Sequence, residues 1–305
     1  VPPDAANFSL TRRITALVQS ADGKLILARS TAGLFKSIDD GSTWLPLNGS
    51  LKSGDAMAVR SVAIHPKNPS IILRGGGRVT NGRLVSGLWK SKDGGKSWKL
   101  TTRDIDFNGH GPTALFGEVI RFNPNNPVNV IAAGETQGLF VSWDGGETWA
   151  SGTFKGERIT CLHFSNLLMY GRDPMFLVGT FDDQQFLAFG MPKPVGEAKA
   201  PGRIYWCTFG GKDKKFRARK CFEMPQTGVT NLVIGTHQRF AHAATTRGLY
   251  FTWLTGNTFS QRRQRVVADT LMIGLGTRRF SDWSRFTAAA PFAESNQPPV
   301  FYSNT

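Results

Sequence analysis

The sequence predicts an all-β protein, a six-bladed β-propeller of four-stranded antiparallel blades whose ring is closed by an N-terminal strand. An eight-residue phrase, Ser-x-Asp-x-Gly-x-Ser/Thr-Trp, occurs at 37–44, 91–98 and 142–149. Each copy follows a Gly-Leu-aromatic triplet, and the three tryptophans lie 54 and then 51 residues apart. A period near fifty residues is typical of a repeated supersecondary unit that cannot bury its apolar face alone.

The repeated phrase predicts a tight hairpin followed by a strand. Its Asp and Gly residues favour turn conformations, and the Asp carboxylate can accept hydrogen bonds from the turn amides. The Trp that ends each phrase offers a large apolar face, so we expect all three to be buried between blades. These structural residues are Asp39, Trp44, Asp93, Trp98, Asp144 and Trp149.

Each repeat has enough strand-forming sequence for four strands, which is one blade. Val- and Ile-rich segments flank the proline-bracketed turns at 65–69 and 123–127. Degenerate copies of the phrase at 204–211 and 248–259 extend the pattern. One domain, 1–305, then accounts for the chain, with blades at about 14–57, 58–116, 117–158, 159–227, 228–267 and 268–305.

The last predicted blade lacks its outermost strand. Residues 299–303 resemble the lead-in to a phrase, and the chain then stops at Thr305. The segment 7–13 precedes the first innermost strand and has no other assigned role. Pairing between the two would close the ring and remove two open sheet edges.

The composition predicts a protein without a membrane span, because no run of about 18 apolar residues occurs. The chain begins at Val1 without a Met, as a processed secretory protein or a trimmed product would. We therefore expect an extracellular, periplasmic or surface-associated protein.

The chain is strongly basic, with 37 Lys and Arg against 22 Asp and Glu. One interpretation of its densest basic run is a solvated hairpin tip. The other is a contact with a protein partner, an anionic glycan or phospholipid head groups. No recognised nucleic-acid-binding module accompanies the charge, which argues against nucleic acid. The candidate contact residues are Lys212, Lys214, Lys215, Arg217, Arg219 and Lys220.

Three cysteines allow one disulfide and one remaining thiol. Cys207 and Cys221 are symmetric about Lys214, the expected hairpin tip. If that residue is the tip, the two strands bring both cysteines face to face in a cross-strand bridge. Cys161 falls in an innermost strand, where a buried thiol is expected.

The repeated phrase resembles the Asp-box, or BNR, repeat of sialidase-like and sortilin-like propellers, and the resemblance covers nearly the whole chain. It implies that the three Asp turns are structural and lie opposite any active site. The sialidase Arg-Ile-Pro phrase has only a partial match at 12–15, which lacks the Pro. The turns at 65–69 and 123–127 are similar to those of sortilins and xyloglucanases. Xyloglucanases use a cleft between two seven-bladed propellers, which one six-bladed ring does not form.

A polar loop between the second and third predicted blades is the strongest candidate for a ligand site. Loops in this position lie on the face opposite the repeated phrases, and two aspartates and a histidine occur there. The simpler interpretation is a Gly/Pro loop with turn-forming Asp residues. No metal-ligand spacing or cofactor motif is present, so neither is predicted. The candidate ligand-binding residues are Arg78, Arg83, Asp104, Asp106 and His110.

These patterns predict a non-catalytic binding or scaffolding propeller that contacts a protein or an anionic glycan. The reasoning is that the structural turns are intact while no complete catalytic set is recognisable. The alternative is a glycoside hydrolase, of which a sialidase-like enzyme is one form. The two differ in whether a pair of carboxylates acts on a glycosidic bond.

Overall fold

The computed structural model describes residues 14–56, 58–110, 114, 116–135, 137–169, 173–181, 202–210, 215–224, 228–234, 240–245, 248–255, 258–259, 265–266, 286–290 and 300–303. Over these residues the protein is all-β, apart from the four-residue helix α1 (Ser53–Ala56). No helix there has the length and apolar character needed to cross a bilayer. The chain divides into two compact units, Val1–Gly156 and Glu157–Thr305.

The first unit holds three four-stranded sheets in which each strand pairs antiparallel with the next one along the chain. This meander is the arrangement of a propeller blade. The strands of the first sheet are β1 (Ile14–Gln19), β2 (Ile26–Ser30), β3 (Gly33–Ser37) and β4 (Leu45–Pro46). Those of the second are β5 (Val59–Ile64), β6 (Ile72–Thr80), β7 (Arg83–Ser91) and β8 (Lys99–Thr102). Those of the third are β9 (Ile120–Phe122), β10 (Val130–Gly134), β11 (Gly138–Ser142) and β12 (Ala150–Ser151).

The second and third strands of each sheet carry the core of the first unit. Strands β10 and β11 are buried at every position, which fits a sheet covered on both faces. Between the first and second sheets lies an apolar cluster that includes Leu27, Leu34, Val62, Trp89 and Trp98. Burial of these side chains is the main force that holds neighbouring sheets together.

The three repeat turns (37–44, 91–98 and 142–149) share one hydrogen-bond pattern. In the second, the Ser91 hydroxyl donates to Asp93 Oδ1 at 2.8 Å and accepts from the Gly95 amide at 2.8 Å. The Ser97 amide and hydroxyl donate to the two oxygens of Asp93 at 2.9 and 2.5 Å. Gly95 has a φ of +85°, which explains the glycine at that position. Each Asp therefore organises its own turn.

The predicted burial of the three repeat tryptophans is right for one and wrong for two. Trp98 is 9% exposed and belongs to the cluster between the first two sheets. Trp44 and Trp149 are only half-buried. Trp44 lies over its own turn and donates to the Gly41 carbonyl at 3.0 Å, while the Trp149 indole donates to Thr101 at 3.3 Å. Both indoles satisfy their N–H groups near the surface.

A buried ion pair links the three sheets of the first unit. Arg29 on β2 donates through Nε to Glu118 at 2.6 Å, and neither side chain is more than 5% exposed. The other carboxylate oxygen of Glu118 accepts from the Ser61 hydroxyl at 2.5 Å and the Val62 amide at 2.7 Å. Burial raises the pKa of Glu118. The charges of Arg29 and Arg121, together with the hydrogen bonds from Ser61 and Val62, outweigh this effect and leave that pKa below its usual value. Removing either partner would leave a buried charge without compensation.

The second unit contains one four-stranded sheet, one five-stranded sheet and one strand pair among its described residues. The first sheet comprises β13 (Ile159–Met169), β14 (Asp173–Thr180), β15 (Gly202–Gly210) and β16 (Lys215–Met224). The next comprises β17 (Val229–Ile234), β18 (Phe240–Thr245), β19 (Gly248–Thr255), β20 (Thr258–Phe259) and β21 (Arg265–Val266). The pair is formed by β22 (Phe286–Ala290) and β23 (Val300–Ser303).

The predicted disulfide between Cys207 and Cys221 is wrong. Cys207 is a buried thiol. The β15–β16 hairpin pairs Gly210 with Lys215, so Cys207 stands opposite Ala218 and Cys221 lies three residues further along the strand. The hairpin is centred earlier in the sequence than the symmetry about Lys214 suggested, and this moves the two cysteines out of register.

Closure of the ring stays a prediction. The N-terminal segment 7–13 and the first part of the last predicted blade, residues 268–285, lie outside the described residues. The last strand pair, β22 and β23, is antiparallel and includes the segment 300–303 that the sequence predicted as a strand. The six-blade count and the single-domain boundaries likewise remain predictions.

Candidate functional site

The rim loop (residues 103–110) follows β8 in the first unit, and the glycines of β6 position it. A Cβ on Gly75 would stand 2.7 Å from the Phe107 ring, and one on Gly77 would stand 2.5 Å from the Phe107 carbonyl oxygen. The Gly109 amide donates to the Gly77 carbonyl at 2.9 Å. The rim loop therefore packs directly against the glycines at 75–77.

One side chain from the third sheet fixes the backbone of the rim loop. The Gln137 amide accepts from the Asp106 N–H at 2.7 Å and donates to the Asp104 carbonyl at 2.9 Å. The Glu135 N–H donates to the Asp106 carbonyl at 3.1 Å. Two neighbouring sheets thus hold the segment 104–106 in one conformation.

Burial alternates along the rim loop. Ile105 and Phe107 are 0% and 1% exposed and point into the unit. Asp104 is exposed and Asp106 is half-buried. Burial raises the pKa of Asp106, and a hydrogen bond from Ser86 opposes it only in part. The two neighbouring carboxylates therefore differ in burial.

Arg78 and His110, two other predicted ligand-binding residues, lie beside each other. Partial burial lowers the pKa of His110, and the positive charge of Arg78 lowers it further. The His110 ring is therefore neutral at pH 7. Arg83 begins β7 and stands opposite Thr80 at the exposed end of the β6–β7 hairpin. That hairpin extends beyond the sheet and exposes Val79, which is 56% exposed.

Arg103 anchors the start of the rim loop. Its guanidinium donates to the Ser86 carbonyl at 3.0 Å and lies 3.6 Å from the Asp55 carboxylate. It also stands over the Trp89 ring, 5.8 Å from the ring centroid. No signal in the sequence pointed to Ser86 or Gln137, because each contacts the rim loop from a distant position along the chain.

The predicted basic contact residues fall partly on strand β16. Lys215, Arg217, Arg219 and Lys220 are exposed there, whereas Lys212 and Lys214 lie outside the described residues. Lys220 pairs with Glu223 at 2.6 Å. An electrostatic contact through this strand stays a prediction.

The aspartates of the repeat turns have a structural role. Hydrogen bonds from Thr43, Ser97 and Thr148 lower the pKa values of Asp39, Asp93 and Asp144 to about 2. For Asp144, these bonds outweigh a rise caused by burial. No cluster of three potential metal-ligating His, Cys, Asp or Glu side chains occurs in the part of the chain that the structure describes.

The chain has relatives among xyloglucanases. No protein-family model matches it. The xyloglucanase Xgh74A of Acetivibrio thermocellus is 27% identical over 196 residues, which are 61% of this chain and 23% of that protein. The chain thus spans less than a quarter of the length of this curated relative.

Two solved structures share the fold. The GH74 enzyme of Niastella koreensis superposes with a TM-score of 0.61 at 16% identity, over 81% of this chain and 36% of that one. The GH74 xyloglucanase of Xanthomonas campestris gives a TM-score of 0.51 at 15% identity, over 82% of this chain and 46% of that one. With the four-stranded antiparallel sheets, these likenesses identify the fold as a β-propeller.

The predicted non-catalytic binding or scaffolding role is wrong. The sequence relative is a xyloglucanase, and the two structures are GH74 enzymes. These findings favour the alternative that the sequence left open, a glycoside hydrolase. That prediction rested on the absence of a recognisable catalytic set, and such an absence does not exclude catalysis.

Proposed function

We propose that this propeller is by itself a glycoside hydrolase that acts on a glycan of the xyloglucan type, with its site at the rim loop and not in a cleft between two propellers. The similarity in sequence to a xyloglucanase over 196 residues carries this proposal. The rim loop supports it, because glycoside hydrolysis needs two carboxylates in different protonation states. Asp104 and Asp106 are two carboxylates of this loop with different burial.

In this proposal Asp106 is the general acid. Its half-buried carboxyl has a raised pKa, which favours the protonated form that can donate to the leaving glycosidic oxygen. Asp104 is the exposed carboxylate of the pair, and in this proposal it supplies the base or the stabilising negative charge. Arg78 and the neutral His110 are donors that can hold sugar hydroxyls beside the carboxylates. Gln137 keeps Asp104 and Asp106 in place through their backbones.

The identity of the repeat turns, the number of blades and the closure of the ring are part of the same proposal. We propose that the three repeat turns are Asp-boxes, because all three use the same Ser-to-Asp and Ser/Thr-to-Asp hydrogen bonds. Six blades closed by residues 7–13 would give the sheets a continuous ring. A polysaccharide substrate would place the protein outside the cytoplasm.

The test is hydrolysis of xyloglucan, measured as new reducing ends with the purified chain. Asp106→Asn should lower the rate at least a hundredfold, because the acid that protonates the leaving group is lost. Asp40→Asn is the matched control. Asp40 is exposed with a φ of +54°, which Asn also tolerates, so its rate should equal that of the original chain. No hydrolysis of xyloglucan or of a panel of β-glucans by the original chain would contradict the proposal.

A further inference from the structure

The β6–β7 hairpin is longer than the matching hairpins of the other two sheets of the first unit. Strands β6 and β7 have nine residues each, whereas β2, β3, β10 and β11 have five each. Residues 72–77 and 86–91 are buried, but every residue of 78–85 is exposed except the half-buried Leu84. The segment 78–85, called the arm below, therefore projects about 10 Å beyond the buried part of the sheet.

The arm is an ordered hairpin. Its two central turn residues, Asn81 and Gly82, have φ values of +51° and +74°. Positive φ at both central positions is the type I′ turn, whose twist matches that of the flanking strands. The pairing of β6 with β7 continues up to this turn without a register shift. An ordered arm loses little conformational entropy when a ligand binds to it.

The rim loop covers one face of the base of the arm. Residues that stand opposite each other in an antiparallel pair share a face of the sheet, and Gly77 stands opposite Ser86. The Ser86 hydroxyl donates to the Ile105 carbonyl at 3.2 Å. A Cβ on Gly77 would stand 2.5 Å from the Phe107 carbonyl oxygen. The backbone on both sides of Asp106 therefore lies against this face.

Val79 and Leu84 continue the same face towards the tip of the arm. They stand opposite each other, and each is two residues beyond Gly77 or Ser86, which is about 7 Å along the strand. Val79 is 56% exposed and Leu84 is half-buried, so the rim loop does not cover them. This apolar pair, called the arm patch below, is next along the face to the part that the rim loop covers.

The opposite face of the arm differs in its chemistry. Arg78 stands opposite Val85 there, and Thr80 stands opposite Arg83. Two arginines and a threonine make this face polar, although Val85 is 48% exposed. The arm patch therefore belongs to the face that the rim loop shares, whereas Val85 offers a similarly exposed valine on the other face.

We propose that the arm patch binds a pyranose ring of a neutral β-linked glucan chain that lies across the rim loop. In a β-linked glucose residue the hydroxyl groups are equatorial and the C–H bonds are axial, so the two ring faces are apolar. Such a face gains free energy when it covers Val79 and Leu84. Glycan sites combine apolar surface with a few polar groups, which the rim loop supplies. This inference rests on the proposed function, because it takes the rim loop as the site.

The test measures xyloglucan binding without its cleavage. The variants are prepared in the Asp106→Asn background, and their dissociation constants are measured by affinity electrophoresis in native gels that contain xyloglucan. Val79→Ser and Leu84→Ser should each raise the dissociation constant about threefold to tenfold, because apolar contact area is lost. Val85→Ser is the matched control and should leave it unchanged. Thermal unfolding should be nearly the same for all three, since the side chains are not fully buried.

Failure of the arm patch is distinguishable from failure of the proposed function. Equal affinities in Val79→Ser, Leu84→Ser and Val85→Ser would refute the arm patch, even if the original chain hydrolyses xyloglucan. Weaker binding in the first two variants alone would support it, even if the original chain hydrolyses nothing. Loss of self-association in these variants, with glycan binding unchanged, would assign the patch to a second copy of the chain and overturn the proposal. So would a lack of xyloglucan binding by the parent.

Discussion

Replacing Gly75 with alanine should displace the rim loop, because the added methyl group would overlap a side chain of that loop. The new Cβ would stand 2.7 Å from the Phe107 ring. Phe107 is only 1% exposed, so its ring has no free space into which it could move. Overpacking of this kind costs about 1–3 kcal/mol of the free energy of unfolding. The ring would have to shift, and the segment with Asp104 and Asp106 would shift with it.

A double-mutant cycle isolates this contact. Phe107→Leu removes the ring atoms that the new methyl group meets, so Gly75→Ala should cost about 1 kcal/mol less in the Leu background than in the original chain. Gly54→Ala is the matched control, because its Cβ would have only an ordinary contact at 3.5 Å with Arg78. In helix α1 that change should be neutral or stabilising by up to about 1 kcal/mol.

The assay is urea unfolding followed by tryptophan fluorescence, with free energies from linear extrapolation. Additive costs in the double variant, within about 0.3 kcal/mol, would refute the packing of Phe107 on Gly75. So would a Gly75→Ala protein as stable as the Gly54→Ala control.

Three further predictions concern the turns, the buried ion pair and the cysteine. Since the pKa of Asp93 is about 2 in the fold against 3.8 ordinarily, its carboxylate stabilises the fold above that ordinary value and the effect is lost as pH falls towards 2. Asp93→Asn should therefore lower the urea midpoint at pH 7 and flatten its acid dependence, and an unchanged midpoint would contradict this. Glu118→Gln should destabilise by about 3–5 kcal/mol in thermal unfolding, because Arg29 is left buried without a counter-charge; a loss below about 1 kcal/mol would exclude that role. Iodoacetamide should label Cys207 in denaturant without reductant, and labelling that requires reductant would show a disulfide after all.

Local turn chemistry made the sheets of the first unit predictable from the sequence. Strands begin at Ile14 and Val59, close to the predicted starts of the first two blades at about 14 and 58. The Asp and Gly positions of the repeat turns follow from hydrogen bonds within eight residues, such as Ser37 to Asp39 at 2.7 Å. Such short-range constraints are visible in a single sequence.

The features that could not be predicted from the sequence depend on contacts between residues far apart along the chain. The pair of Arg29 and Glu118 joins residues 89 positions apart, and no pattern links them. Gln137 reaches the rim loop from 31 positions away. The pairing of Cys207 with Ala218 depends on which residues form the turn of the hairpin. A shift of the turn by one or two residues changes every cross-strand pair, so the prediction based on symmetry about Lys214 was wrong.

The rate of xyloglucan hydrolysis as a function of pH tests the central claim most directly. If Asp106 is the general acid, the rate should fall as pH rises through its raised pKa, because the deprotonated carboxylate no longer donates a proton. In Asp106→Asn this alkaline limb should disappear along with most of the rate. An alkaline limb of unchanged position and amplitude in Asp106→Asn would contradict the assignment of the rim loop as the catalytic site.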